Sequence, residues 1–271
     1  MSSHVSFLNL PVMAEQQNKR SALGVLILHG FTGTLESVNA LYAPLKALGI
    51  PVVMPLLAGH GEASPEALRG VEWQKWFLDA EQALHTLMSC AEKIIVIGHS
   101  MGALLSLNLA VKYQSRIDSL VLAAPAIKLT SLLAPGRPFH IVAPFISILF
   151  KNWILQKNIP DRTSSAAPSH YPWVPTKAIL SFFELIKQTF SLLDRVAVPV
   201  LVMQCRKEST VLPESATILL DRIATASSAK SLLWFEVSGH QIFCDVERIK
   251  AVQTVINYVS ARITKKQGEE G

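Results

Sequence analysis

Apolar runs alternate with amphipathic stretches along most of this chain. Leu23–His29 is continuously apolar, as a strand buried on both faces must be. Glu36–Leu48 follows with helical spacing, then a short strand-like run, Pro51–Met54. Glu72–Cys90 carries apolar residues on one face of a long helix. Lys93–Ile97, Ser119–Ala124, Pro199–Gln204 and Ser231–Glu236 read as further strands, and Asp245–Arg262 as a closing helix. Strands alternating with helices predict an α/β fold: a mostly parallel sheet with helices on both faces.

The rhythm breaks between about Lys128 and Arg195. Seven prolines fall here, from Pro135 to Pro175, with apolar helical pieces at Phe139–Trp153 and Thr176–Leu193 and no strand periodicity. This stretch reads as a helical cap, residues 128–195, inserted into a core made of residues 1–127 and 196–271. Insertions at the carboxyl ends of strands surround the ligand site in this architecture, so the cap is expected to roof a cleft.

Half of the 271 residues are hydrophobic and 17% are charged. Mean hydropathy is +0.33, which raises the question of a membrane span. The most apolar window, Phe139–Phe150, falls short of the roughly 18 residues needed, contains Pro144 and is bounded by Arg137 and Lys151. No stable membrane insertion is expected. Met1–Gln17 lacks a basic stretch followed by an apolar run, so no secretion signal is read there. Cys90, Cys205 and Cys244 make no disulfide framework and read as small buried hydrophobes, which favours the cytoplasm. Net charge is +5, but the basic residues are scattered, which argues against nucleic acid. No His/Asp/Glu cluster has metal-ligand spacing and no glycine-rich phosphate loop is present, so no metal or cofactor is expected.

Gly98-His99-Ser100-Met101-Gly102 carries the chemistry. It follows a β-branched strand and opens a helix, the context of a nucleophile elbow, with serine on a turn too tight for flanking side chains. Serine needs a base, and the base needs an orienting carboxylate, in the chain order serine, acid, histidine. Of eight histidines, His4 lies near a terminus, His29, His60 and His85 precede the serine, His99 sits on the elbow, and His140 and His170 fall in the cap. His240, after the last strand in Ser238-Gly239-His240, is the expected base. After Pro199–Gln204 the only carboxylate before Pro213 is Glu208, the expected acid, with Glu214 as runner-up. Asp194 precedes that strand, and Asp245 is expected to cap the last helix. Oxyanion donors are expected at the N–H groups of Met101 and Phe31, the latter in His29-Gly30-Phe31-Thr32-Gly33. Phe139, Ile146, Trp153, Phe182 and Phe183 of the cap are candidates for an acyl pocket. Gly59-His60-Gly61 reads as a structural turn.

With these residues in place, the chain resembles the α/β-hydrolase superfamily, and more narrowly the bacterial carboxylesterase and monoacylglycerol lipase group. The resemblance rests on His29-Gly30-Phe31-Thr32-Gly33-Thr34, Gly59-His60-Gly61 with Trp73, Gly98-His99-Ser100-Met101-Gly102, and Ser238-Gly239-His240 with Asp245 and Glu247-Arg248. It implies a Ser100–Glu208–His240 triad, Phe31 and Met101 as oxyanion donors, and cofactor-free hydrolysis of short- to medium-chain carboxylic esters or monoacylglycerols. The group usually has aspartate where this chain has Glu208. A thioesterase, amidase or acyltransferase on the same machinery, or a non-catalytic binder of a hydrophobic ligand, remain the alternatives.

Overall fold

The computed structural model describes residues 20–155 and 171–270. Six strands form one sheet in the order β2-β1-β3-β4-β7-β8, each pairing parallel to its neighbour. They are β1 (Ser21–Leu28), β2 (Val52–Val53), β3 (Ala91–His99), β4 (Ile117–Ala123), β7 (Val200–Cys205) and β8 (Lys230–Phe235). The register runs Leu26↔Val96 and Val96↔Leu120, which puts buried aliphatic residues of the central strands in line across the sheet.

Side-chain alternation divides the core in two. Leu23, Val25 and Ile27 of β1, with Ile95 and Ile97 of β3, face α1 (Tyr42–Lys46) and α7 (Arg248–Glu270). Leu26, Leu28, Ile94 and Val96 face α2 (Trp73–Cys90) and α3 (Met101–Lys112). The apolar face of α2 is buried at Trp76, Ala80, Ala83, Leu84 and Leu87, the spacing expected of a helix laid on a sheet. α3 is buried nearly all round, because it lies between the sheet and α5 (Thr176–Ser191). Asn108 Nδ2 donates to Thr189 Oγ1 at 2.8 Å across that contact.

Two expectations need correction. Glu36–Leu48 is not one helix but two 3-10 turns followed by α1. Pro44 has no N–H to give the carbonyl of Ala40, so an α-helix starting at Glu36 would lack a bond at its centre. The Phe139–Trp153 helix is also broken. A 3-10 turn at His140–Val142 leads into the one α-helical piece of that span, Ala143–Leu149 (α4), and Asn152–Ile154 (β5) pairs antiparallel with Trp173–Pro175 (β6). The segment between β4 and β7 therefore contains a two-stranded sheet, although its sequence lacks strand periodicity. It is tied to the core at Tyr171, whose Oη donates to Gly59 O (2.9 Å) and accepts from Glu62 N (3.0 Å). Trp73 N donates to Ser181 Oγ of α5 at 2.7 Å, a second tie.

Among the described residues no helix is long and apolar enough to cross a membrane. Cys205 and Cys244 are buried and Cys90 is half-buried.

Candidate active site

β3 ends at His99, and Ser100 turns the chain directly into α3. Ser100 has φ +55° and ψ −112°, a conformation that costs a non-glycine residue about 1–3 kcal/mol. The surroundings enforce it. A Cβ on Gly102 would run into the carbonyls of Leu28 and His29, and one on Gly98 into Gly102 O and Ser106 Oγ, so strand and helix meet closer than side chains permit. Ser100 N donates to Ala123 O at 2.9 Å, fixing the elbow to β4.

The loops after β7 and β8 converge on this serine from the carboxyl end of the sheet. Ser100 Oγ lies 3.0 Å from His240 Nε2, and His240 Nδ1 lies 2.9 Å from Glu208 Oε2. The carboxylate fixes the tautomer: Nδ1 carries the proton, and Nε2 is left to accept from the serine hydroxyl. Glu208 Oε1 accepts from Thr210 N (2.8 Å) and Val211 N (3.2 Å). Its side chain is wholly buried, whereas His240 keeps an exposed edge. Burial pushes the Glu208 carboxyl up, but the charge and hydrogen bond of His240 and the two amides outweigh it, leaving the pKa below the ordinary carboxylate value. Glu214, the runner-up, is instead ion-paired with Lys128 at 2.5 Å.

The loop after β1 lies against the elbow. A Cβ on Gly30 would sit 3.1 Å from Ser100 Cβ and 3.2 Å from His99 Nδ1, so only glycine lets the backbone reach this close without displacement. Phe31 follows, its ring stacked on Phe182 of α5 with centroids 5.0 Å apart. Met101 is the first residue of α3 and is fully buried. Behind Phe31 lie two buried histidines. His29 Nδ1 donates to Gly30 O (2.9 Å) and its Nε2 accepts from Leu57 N (3.1 Å). His60 packs against Phe31, Trp76 and His29 and donates from Nδ1 to Ala58 O at 3.0 Å. The Gly59-His60-Gly61 turn thus supports the loop bearing Phe31.

A third correction concerns Asp245, which does not cap α7. Its Oδ2 accepts from Gly239 N at 2.7 Å. Glu247 Oε2 accepts from Val237 N (3.0 Å) and Ser238 N (2.9 Å), and Ser238 Oγ accepts from Glu247 N (3.0 Å). Both carboxylates hold the loop that presents His240, a role the sequence reading missed. The signal available to it was two acids closely following the histidine. His99, set aside as an elbow residue, also reaches this loop: its Nε2 donates to His240 O at 2.8 Å.

Of the pocket candidates, Phe182 and Phe183 are buried, and Phe182 meets Phe31. Ile146, Trp153 and Phe183 line a cavity of about 60 Å³ with Leu133, Ile179 and Leu180. Phe139 is exposed and is not among its walls. A larger cavity, about 320 Å³, lies between Thr34, Leu56, Glu62 and Tyr171. His140 N donates to Arg137 O, and His85 meets Tyr113; neither approaches Ser100 in any described bond. His4 and His170 lie outside the described residues. Among the described residues no group of three His, Cys, Asp or Glu side chains is placed to hold a metal ion.

Comparison with known proteins gives a consistent picture. The family model described as serine aminopeptidase, S33 (Hydrolase_4) matches residues 19–247. The thermostable monoacylglycerol lipase of Bacillus sp. (strain H-257) is 27% identical over 236 residues, 87% of this chain and 90% of that protein. A carboxylesterase of Bacillus subtilis (strain 168) is 27% identical over 243 residues, covering 87% and 91%. Among solved structures, one from the metagenome-derived lipolytic enzymes LipS and LipT superposes with a TM-score of 0.78 at 25% identity, covering 91% of this chain and 95% of that one. The fold is also that of a soluble variant of monoglyceride lipase from Saccharomyces cerevisiae, with TM-score 0.72, 19% identity and coverage of 93% and 89%.

Proposed function

This chain belongs to the Hydrolase_4 family of α/β-hydrolases, and on that premise we propose that it is a carboxylic ester hydrolase that cleaves short- to medium-chain esters, monoacylglycerols among them, through Ser100, His240 and Glu208. The observation that carries the reading is the unbroken relay from Ser100 Oγ through the His240 ring to the buried Glu208 carboxylate.

In this reading His240 Nε2 takes the proton of Ser100 as Oγ attacks the ester carbonyl. The tetrahedral oxyanion is held by the N–H groups of Met101 and Phe31, aided by the positive end of the α3 dipole. His240, now imidazolium and stabilised by Glu208, protonates the leaving alcohol. Water, deprotonated by His240, then attacks the acyl-enzyme and returns Ser100 to its starting state. Glutamate serves here because it needs only to accept Nδ1–H, and its other oxygen is held by Thr210 and Val211.

In this reading residues 128–195 act as the cap, with Ile146, Trp153, Phe182 and Phe183 as its acyl-facing candidates. The family description names an aminopeptidase, and the same relay is able to open amides. The lipase and carboxylesterase relatives favour the ester, and the small cavity inside the cap, walled by apolar residues with Ser131 and Thr176, suits an apolar group. The sparse, odd set of three cysteines supports a cytoplasmic place in this reading.

The test is hydrolysis of p-nitrophenyl esters from acetate to palmitate, with Ser100→Ala and Glu208→Gln alongside. A maximum at short or medium acyl chains, abolished in Ser100→Ala, is expected. Undiminished turnover in Ser100→Ala would overturn the mechanism.

A further inference from the structure

Shortly after β4, residues 128–130 run antiparallel to residues 210–212 of the loop after β7. Leu129 bridges to Val211, and Leu212 N donates to Lys128 O at 2.8 Å. Ser215 Oγ donates to the same carbonyl at 3.0 Å. Thr130 completes this ladder. Its N–H donates to Thr210 O at 3.0 Å. Its Oγ1 donates to Ser209 O at 2.9 Å, with Thr210 O the longer partner at 3.2 Å.

Those two carbonyls belong to the two peptide units that clamp Glu208. Thr210 N, on the Ser209–Thr210 peptide, donates to Glu208 Oε1 at 2.8 Å. Val211 N, on the Thr210–Val211 peptide, donates to the same oxygen at 3.2 Å. A peptide unit is planar and stiff, so holding its oxygen aims its N–H. A donor on the carbonyl also polarises the unit and strengthens the bond at its other end. Thr130 therefore acts on the far end of both amides that hold the carboxylate, from a segment outside the loop that carries it. The rest of the ladder does not need the Thr130 hydroxyl, since the Leu129 bridge and the bonds to Lys128 O stand without it.

We propose that Thr130 is a positioning residue for the relay: it fixes the two peptide units that grip Glu208 Oε1, and so keeps Oε2 turned toward His240 Nδ1. Glutamate is longer than the aspartate usual at this place and has more side-chain freedom to lose. With Oε1 clamped, rotation about the terminal bond is stopped, and Oε2 stays 2.9 Å from Nδ1. The imidazole is then held in the tautomer that leaves Nε2 free to take the proton of Ser100. This rests on the ester-hydrolase reading. Full turnover in Ser100→Ala would sink that reading itself, an outcome that no Thr130 variant imitates.

The experiment is steady-state hydrolysis of p-nitrophenyl acetate by the full-length protein and its Thr130→Val, Thr130→Ser and Glu208→Ala variants, with Thr130→Val/Glu208→Ala closing the cycle. Thr130→Val keeps the shape and loses the hydroxyl donor. It should lower kcat about tenfold with KM little changed, less than the roughly 100-fold of a 1 Å displacement, because the bond from Thr130 N remains. Thr130→Ser should recover most of that loss. In Glu208→Ala the two amides have no carboxylate to hold, so adding Thr130→Val should cost less than about twofold. A hydroxyl that only supported the fold would cost the same in both backgrounds. Equal losses in the two backgrounds, no loss in Thr130→Val, or no recovery in Thr130→Ser would overturn the proposal. If Thr130→Val does not fold, Thr130→Ala removes the same hydroxyl and takes its place in the cycle.

Discussion

His99 Nε2 donates to the main-chain carbonyl of His240 at 2.8 Å, so the residue before the serine holds the loop that carries its base. The two rings lie 4.9 Å apart, and Phe243 closes the far side of His99. Serine and histidine reach one another from strands separated in the sheet by β4 and β7, and this bond ties the two strand ends together.

His99→Phe keeps the bulk of the ring and removes the donor. The part-buried carbonyl of His240 then loses its partner, at about 1 kcal/mol of stability. A shift of the imidazole by about 1 Å is worth roughly 100-fold in rate. The expected result is a lower kcat with KM little changed, read from initial rates on a soluble ester beside a thermal melt.

Glu208→Gln leaves the shape but removes the charge that stabilises imidazolium. By analogy with other triads, kcat should fall by about 10³- to 10⁴-fold. Glu208→Asp keeps the charge and shortens the reach to His240, Thr210 and Val211, so it should recover part of that loss. If aspartate performed no better than glutamine, reach rather than charge would be what Glu208 supplies.

Glu247 bears on acid stability. Burial works against its ionisation, but the amides of Ser238 and Val237, the Ser238 hydroxyl and Lys250 hold its pKa down to about 2, against an ordinary 4.5. A carboxylate depressed in the folded state adds stability that is fully present above the unfolded value and is lost as pH falls from about 4.5 toward 2. Glu247→Gln should therefore lower the melting temperature at neutral pH and narrow its fall on acidification. Parallel melting curves for both proteins at every pH would contradict this.

The histidines behind Phe31 act higher on the pH scale. Burial drives His29 to about 4. Burial, then the neighbouring His29, takes His60 to about 3, against backbone hydrogen bonds that work the other way. Unfolded, both titrate near 6.5. As pH drops below 6.5 the unfolded chain takes up protons that the folded chain refuses, so stability falls, by up to about 1.4 kcal/mol per pH unit for each histidine. Urea midpoints at pH 7 and pH 5 measure the slope, and His60→Gln should remove roughly half of it. A wild-type midpoint unchanged over this window would show that neither histidine is kept neutral by burial.

Much of this protein is written locally. Each central strand carries a run of Val, Ile and Leu too apolar to lie anywhere but inside, and α2 shows its buried face as Trp76, Ala80, Leu84 and Leu87. The elbow is legible because its glycines answer a steric demand of the turn itself, and Glu208 and His240 because each follows a strand at the carboxyl edge of a parallel sheet. Other features depend on contacts between residues far apart in sequence. Asn152–Ile154 is a strand only because Trp173–Pro175 lies beside it, and three residues are too few to show a period that would announce that pairing. Glu214 is separated from Glu208 by Lys128, 86 residues away, which holds it elsewhere. Asp245, Glu247 and His99 support His240 through main-chain N–H and C=O groups, which are the same in every residue and leave no mark in the sequence. Residue order determined the strands, the elbow and the members of the relay. Only the folded chain decided what holds the histidine in place, because that depends on backbone atoms brought together by tertiary packing.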